Sequence, residues 1–180
     1  MTDNRFRIHH GDQSTTTAAR LADILLDCVA GGASVSFMDP LPRENAVAFW
    51  EDVLASAARG ERIVLIAEDP SDGMFVGTVQ VVFAPQDNQP HRADVAKMLV
   101  HRRARRQGLG AALMKAAEAA AFEAGKTLLV LDTVTGGDAE RLYARLGWTR
   151  CGVIPNYALF PRGGFCDTTV FYRDLSKGQP

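Results

Sequence analysis

Arg105 to Met114 read RRQGLGAALM, two arginines running into two glycines one residue apart. An apolar strand end, Met98, Leu99 and Val100, stands before them, and an alanine-rich run follows. Leu109, Leu113, Ala116, Ala117 and Ala120 recur at helical spacing, so a helix is expected from about Gly108 to Ala124, with Gly125 just past its end. The first N–H groups of such a helix have no intrahelical acceptors and lie at the positive end of its dipole. Gly108 and Gly110 carry no side chain to bar close approach, and Arg105 and Arg106 add full charges. Together these features suit a phosphate or pyrophosphate. A Walker loop is excluded, because Ala111 and Ala112 follow Gly110 where that loop requires Lys and Ser or Thr. A dinucleotide fingerprint fails too, since there is one GxG and only one clear strand–helix–strand unit. A solvated arginine run ahead of a tightly packed helix is the plainer alternative.

Working outward, TLLVLDT (127–133) is a near-continuous apolar strand of the kind covered on both faces. With the strand ending at Val100 and the helix between, it forms a βαβ unit whose strands should be parallel, with a right-handed crossover. DAERLYARLG (138–147) is a short helix closed by Gly147; WTRCGVI (148–154) and CDTTVFYRDL (166–175) close the chain as strands. Upstream, Phe6 to His9 alternates as a first strand, and Ser14 to Thr17 offers cap oxygens to a helix that buries Leu21, Ile24, Leu25 and Cys28. GGASVSFMDPLP (31–42) is a loop, and Pro42 opens a second helix burying Ala46, Phe49, Trp50 and Val53. RIVLIAE and MFVGTVQVVF flank the turn DPSDG as an antiparallel hairpin, and HRADVAKMLV (91–100) is the strand before the glycines. The expectation is one mixed α/β domain over residues 1–180, with strands on both sides of a central βαβ.

Hydrophobic residues make up 47% and charged residues 23% of 180, an ordinary globular composition. The net charge of −1 argues against a dedicated nucleic-acid binder, despite HRRARR (101–106). Cys28, Cys151 and Cys166 are odd in number and far apart, so neither a zinc site nor a disulfide framework is indicated. A reducing, cytoplasmic setting is expected. The polar N-terminus lacks a signal-peptide core, and no apolar run is long enough to span a membrane.

ARRQGLGAALM resembles the R/Q-x-x-G-x-G/A signature of the GNAT family of N-acetyltransferases, through Arg105, Gly108 and Gly110. LYARLGW, Leu142 to Trp148, is similar to that family's downstream tyrosine segment and lies at the family's distance. HRADVAKMLV and the C-terminal run from Leu131 resemble the tabtoxin-resistance-type subgroup. The resemblance implies the GNAT fold: a mixed, mostly antiparallel sheet of about seven strands with one splayed parallel pair, flanked by about four helices. It implies acetyl-CoA as cosubstrate, without a metal. The pyrophosphate is then expected on the loop Arg105, Arg106, Gln107, Gly108, Leu109, Gly110 and Ala111, and the pantetheine arm along Met98, Leu99 and Val100.

Amine attack on a thioester needs a base to deprotonate the ammonium and an acid for the leaving sulfur. Tyr143 matches the family tyrosine near the sulfur and is the candidate acid. Asp132, at the end of LLVLD, and Asp94, on the strand before the signature, are rival candidates for the base. His91 is read as structural or solvent-facing. Many members place Asn seven residues before the tyrosine, where this chain has Gly136; Asp138 or a backbone group would have to substitute. The loops 31–42 and 155–165 flank the expected acceptor site. They, with Phe37, Trp50, Tyr157 and Phe160 as possible walls and Arg162 as a possible carboxylate partner, complete the candidates. The expected activity is acetyl transfer to a primary amine of a small molecule. Its alternatives are a protein or peptide acceptor and a non-catalytic CoA-binding module. A homodimer through the closing strands is a further expectation.

Overall fold

In the computed structural model, which describes residues 5–176, the first helix shows how local chemistry sets the boundaries. Ser14 Oγ accepts from the Thr17 N–H at 3.1 Å and starts α1, Thr15–Ala30. A cap of this kind contributes about 1 kcal/mol. Leu21, Ile24, Leu25 and Cys28 fall on one face of α1 and are buried with Ala18 and Ala22. Pro42 directly precedes α2, Arg43–Ala58, and Gly60, at φ 76, lets the chain turn out of it.

The strands are β1, Arg7–His10; β2, Arg62–Asp69; β3, Met74–Phe83; β4, Arg92–Val100; β5, Leu128–Val134; β6, Thr149–Leu159; and β7, Phe165–Asp174. Two more helices, α3 (Leu109–Glu123) and α4 (Asp138–Arg145), follow β4 and β5 respectively. All seven strands form one sheet in the order β1-β2-β3-β4-β5-β7-β6. Every neighbouring pair is antiparallel except β4 and β5. The fold is the mixed, mostly antiparallel sheet with a parallel pair that the resemblance implied.

Alternation on β2 divides the interior. Val64 and Ile66 face α1 and α2, whereas Leu65 and Ala67 face α3. Trp50 anchors the first core at 0% exposure, and Leu113, Met114 and Ala117 of α3 anchor the second. Truncating a buried Trp or Leu of this kind typically costs about 2–5 kcal/mol.

The irregularity that matters lies in β4. Ala96 pairs with Gln80 and Leu99 with Thr78, so Lys97 and Met98 together face Val79 alone. Lys97 takes φ 48 to make room. This bulge exchanges the faces of the strand: Val95 packs with α3, and Leu99 packs with α1 and α2. β4 then meets β5 through only three residue pairs, Arg92↔Leu128, Ala93↔Leu129 and Asp94↔Val130. Beyond them the parallel strands run on without pairing.

One element differs from its sequence reading. β6 continues through Pro155 to Leu159, so the loop before β7 is only residues 160–164. Pro155 is tolerated because β6 is the free edge of the sheet, and residues 155–157 form an irregularity with Asn156 at φ 54. No helix among the described residues is long and apolar enough to cross a membrane.

Candidate active site

Where β4 and β5 part, the sheet opens into a cleft of about 1390 Å³. The start of α3 and one side of α4 line one end. Loop 31–38 and the β6–β7 hairpin line the other.

At the first end, Arg106 and Gly108 both adopt left-handed backbone, φ 58 and 80, on either side of Gln107. A Cβ on Gly108 would meet nothing within 4 Å, so the demand there is on backbone conformation. Gly110 answers a different demand: a Cβ would lie 3.0 Å from Leu142 Cδ2. Glycine thus lets the start of α3 close against α4. Ala112 N–H is the first to find an acceptor inside the helix turn, at Gly108 O, 3.1 Å away. The N–H groups of Leu109, Gly110 and Ala111 therefore have no intrahelical acceptor. An anion fits this bare, positively polarised turn.

The arginines divide the work. Arg102 pairs with Asp27, and Arg103 pairs with Asp69 and Asp72 at 2.9 and 2.7 Å. Arg105 turns back, its Nε donating to Val100 O at 3.1 Å. Arg106 makes no ion pair among the described residues and stands at the cleft, where its charge helps hold the Asp138 carboxyl below its usual range. The larger cause of that shift is the hydrogen bond from Arg141.

The edge of β4 is polar towards the cleft. His101 N–H donates to Val76 O at 2.9 Å, towards β3. Because successive peptides of an extended strand point opposite ways, the N–H groups of Val100 and Met98 point to the side where β5 has left. Val100 O, on that same side, is taken by Arg105.

At the middle of the cleft, Asp132 stands two residues beyond Val130, the last residue of β5 that pairs with β4. Its Oδ2 accepts from Thr168 Oγ1 at 2.7 Å, a bond from neighbouring β7. Tyr143 reaches the same cleft from α4, with its ring packed edge-on to Phe171 and tilted against Trp148. Burial, then the negative charge of Asp132, push its phenol far above the usual range, so it stays neutral. Lys97, turned inward by the bulge, lies half-buried with Nζ 3.1 Å from Ser36 Oγ.

Asp94 is not brought to this group. It sits where β4 and β5 are still paired, outside the cleft lining, with Oδ1 2.7 Å from Arg92 Nη1. Trp50 lies in the core and lines no pocket with Phe37, Tyr157 and Phe160, which do border the cleft. Arg162 is committed to Asp39 Oδ2 at 2.8 Å and to Ala30 O at 2.9 Å. Gly136 adopts φ 81 and donates its N–H to Glu140, while Asp138 borders the cleft.

The acetyltransferase (GNAT) family matches residues 19–148. The chain belongs to that family. This GNAT chain shares its fold with yncA from Salmonella typhimurium, solved with its cofactor acetyl-CoA, at 22% identity, a TM-score of 0.78 and 98% of each chain covered. It is likewise similar to an N-acetyltransferase from Staphylococcus aureus Mu50, at 17% identity and a TM-score of 0.78, over 94% of this chain and 98% of that one. A ribosomal-protein-alanine N-acetyltransferase from Brucella melitensis aligns at 22% identity and a TM-score of 0.79, over 94% and 99%. Relatives so distant establish the fold.

Sequence reasoning had not picked out Lys97, Thr168, Ser34 or Ser36. Lys97 was detectable in principle: in DVAKMLV it shares parity with Val95 and Leu99, so a regular strand would have buried it.

Proposed function

We propose that this chain transfers the acetyl group of acetyl-CoA to a primary amine of a small molecule, by direct attack within a ternary complex. The observation that carries the small-molecule reading is the strap of hydrogen bonds joining the two segments that border the acceptor end of the cleft. Ser34 Oγ donates to Leu159 O at 2.7 Å, Asp39 N–H to Pro161 O at 2.9 Å, and Arg162 binds both Asp39 and Ala30 O. Loop 31–42 is thereby stapled to the β6–β7 hairpin, and a pocket bordered by two joined loops suits a compact amine better than a polypeptide.

Acetyl-CoA, when bound, supplies an activated acetyl group as a thioester. Its pyrophosphate fits the bare amides of Leu109, Gly110 and Ala111, with Gly108 and Gln107 shaping the turn and Arg106 adding charge. Its arm fits the open edge of β4, where the N–H groups of Met98 and Val100 are placed to polarise a carbonyl. Asp132, oriented by Thr168, takes the proton from the acceptor's ammonium. Asp94, tied to Arg92 away from the cleft, is the weaker candidate. Tyr143 Oη keeps its proton at neutral pH and holds it for the leaving sulfur.

We read the whole of 1–180 as one domain of the tabtoxin-resistance-like subgroup, a reading supported by the resemblance of HRADVAKMLV and of the C-terminal run from Leu131. Cys28, Cys151 and Cys166 are free thiols, which suits the cytoplasm. Val153, Ile154, Tyr157 and Leu159 are exposed along the unpaired edge β6 and suit a second copy of the chain. The test is a panel of primary amines and peptides with acetyl-CoA, read by thiol release. Turnover of one or more small amines is expected; turnover confined to peptides, or absent throughout, would overturn the reading.

A further inference from the structure

Lys97 forms no ion pair among the described residues. The bulge gives it left-handed backbone, which a lysine adopts only where the surroundings impose it. The result is an ammonium turned into the acceptor end of the cleft, half-buried, with Ser36 Oγ as its hydrogen-bond partner. An ammonium has three donors to place. No carboxylate closes on it as an ion pair among the described residues, although Asp132 is near enough for its charge to be felt. Phe49 packs beside it at 5.8 Å from ring centre to Nζ. Burial accordingly pushes its pKa down, which an adjacent anion would reverse. A partly desolvated charge is costly unless paired.

We infer that Lys97, with Ser36, is the seat for a carboxylate carried by the acceptor itself, so that the acceptor is an amino acid or a compact derivative of one. The inference rests on the small-amine reading above and narrows it. Charge balance favours a monoanion. Asp132 and Asp167 both border this end of the cleft, and the acceptor's ammonium and carboxylate would complement Asp132 and Lys97 respectively. A phosphate dianion would place a second negative charge beside those carboxylates. Phe37, Met38 and Tyr157 leave an apolar wall for the rest of the molecule. Lys97 acts here as a specificity determinant, and Arg162, bound to Asp39, is not available for that role.

The experiment has two arms. In the first, matched pairs such as tyrosine and tyramine, or lysine and cadaverine, are compared as acceptors for wild type, Lys97→Met and Lys97→Arg. Wild type is expected to favour the carboxylate member at least tenfold in kcat/KM. Lys97→Met should erase that preference by raising KM for the carboxylate member alone, and Lys97→Arg should restore part of it. Equal preference in wild type and Lys97→Met overturns the inference while leaving the acetyltransferase reading intact. The second arm does not depend on turnover. Lys97 is labelled with an amine-reactive reagent and quantified by mass spectrometry, with the CoA-loaded protein in 3-phenylpropionate, phenylethylphosphonate or phenylethanol. Selective protection by the carboxylate is expected. Protection by none of them, or by the phosphonate in preference, overturns the carboxylate seat whatever the fate of the acetyltransferase reading.

Discussion

Tyr143 meets its neighbours through its ring and its cleft through its hydroxyl. Tyr143→Phe keeps the ring packing against Trp148 and Phe171 and removes the hydroxyl that carries the proton. Turnover should fall about 10²-fold or more, while acetyl-CoA affinity measured by calorimetry stays near wild type. The two signature glycines should fail differently. At Gly108 the added methyl meets open space, so Gly108→Ala costs backbone strain alone, about 1 kcal/mol, read as a lower Tm. At Gly110 the methyl presses on Leu142, the residue before Tyr143, so Gly110→Ala should lower kcat out of proportion to its effect on Tm. Comparing the two Tm values and the two kcat values checks the distinction.

Among the elements, the arginine run shows how little a charge count says about role. Arg103 ties the segment before α3 to the β2–β3 turn through Asp69 and Asp72. The Ser71 side chain and N–H, and after them Arg103, hold the Asp69 carboxyl down at about 2 from an ordinary 3.8. Because the folded value lies below the unfolded one, the contribution is complete above pH 3.8 and is lost as pH falls through about 2. Asp69→Asn should therefore melt below wild type at pH 7, with the gap closing across that acid window in thermal melts. Elements such as α3 and β3 were legible because their periodicities are long and their stops are glycines or tight turns. β6 was not, since Pro155 and Asn156 read as loop; only its place at the sheet edge lets them stay in a strand. The bulge at Lys97 was hidden for a similar reason. It is a mismatch in pairing with β3, and β4 alone signals it only through a lysine in phase with Val95 and Leu99. The glycine turn and Tyr143 were legible because their chemistry travels with short spacings. The Asp132–Thr168 bond was not, because it joins residues 36 apart in sequence across two strands.

For the molecule as a whole, the strap joins loop 31–42 to the β6–β7 hairpin, and on the small-amine proposal it limits pocket size. Arg162→Ala removes the link to Asp39 and to Ala30 O, both at the surface, so stability should change by less than about 1 kcal/mol. The mutant should accept bulkier amines than wild type, measured as kcat/KM across a size-graded panel. The three parallel pairs between β4 and β5 have a mechanical meaning as well. The sheet is two leaves, β1–β4 and β5–β7–β6, joined at a short seam and open like a book above it. A ligand arm lying in the opening acts as a missing page, bridging leaves that share few bonds of their own. Amide hydrogen exchange at Met98 and Val100 should then slow on addition of acetyl-CoA, while Ala93, buried at the seam, changes little. The protein would carry its substrate as part of its own sheet, and each turnover would take out and replace that page while the spine held.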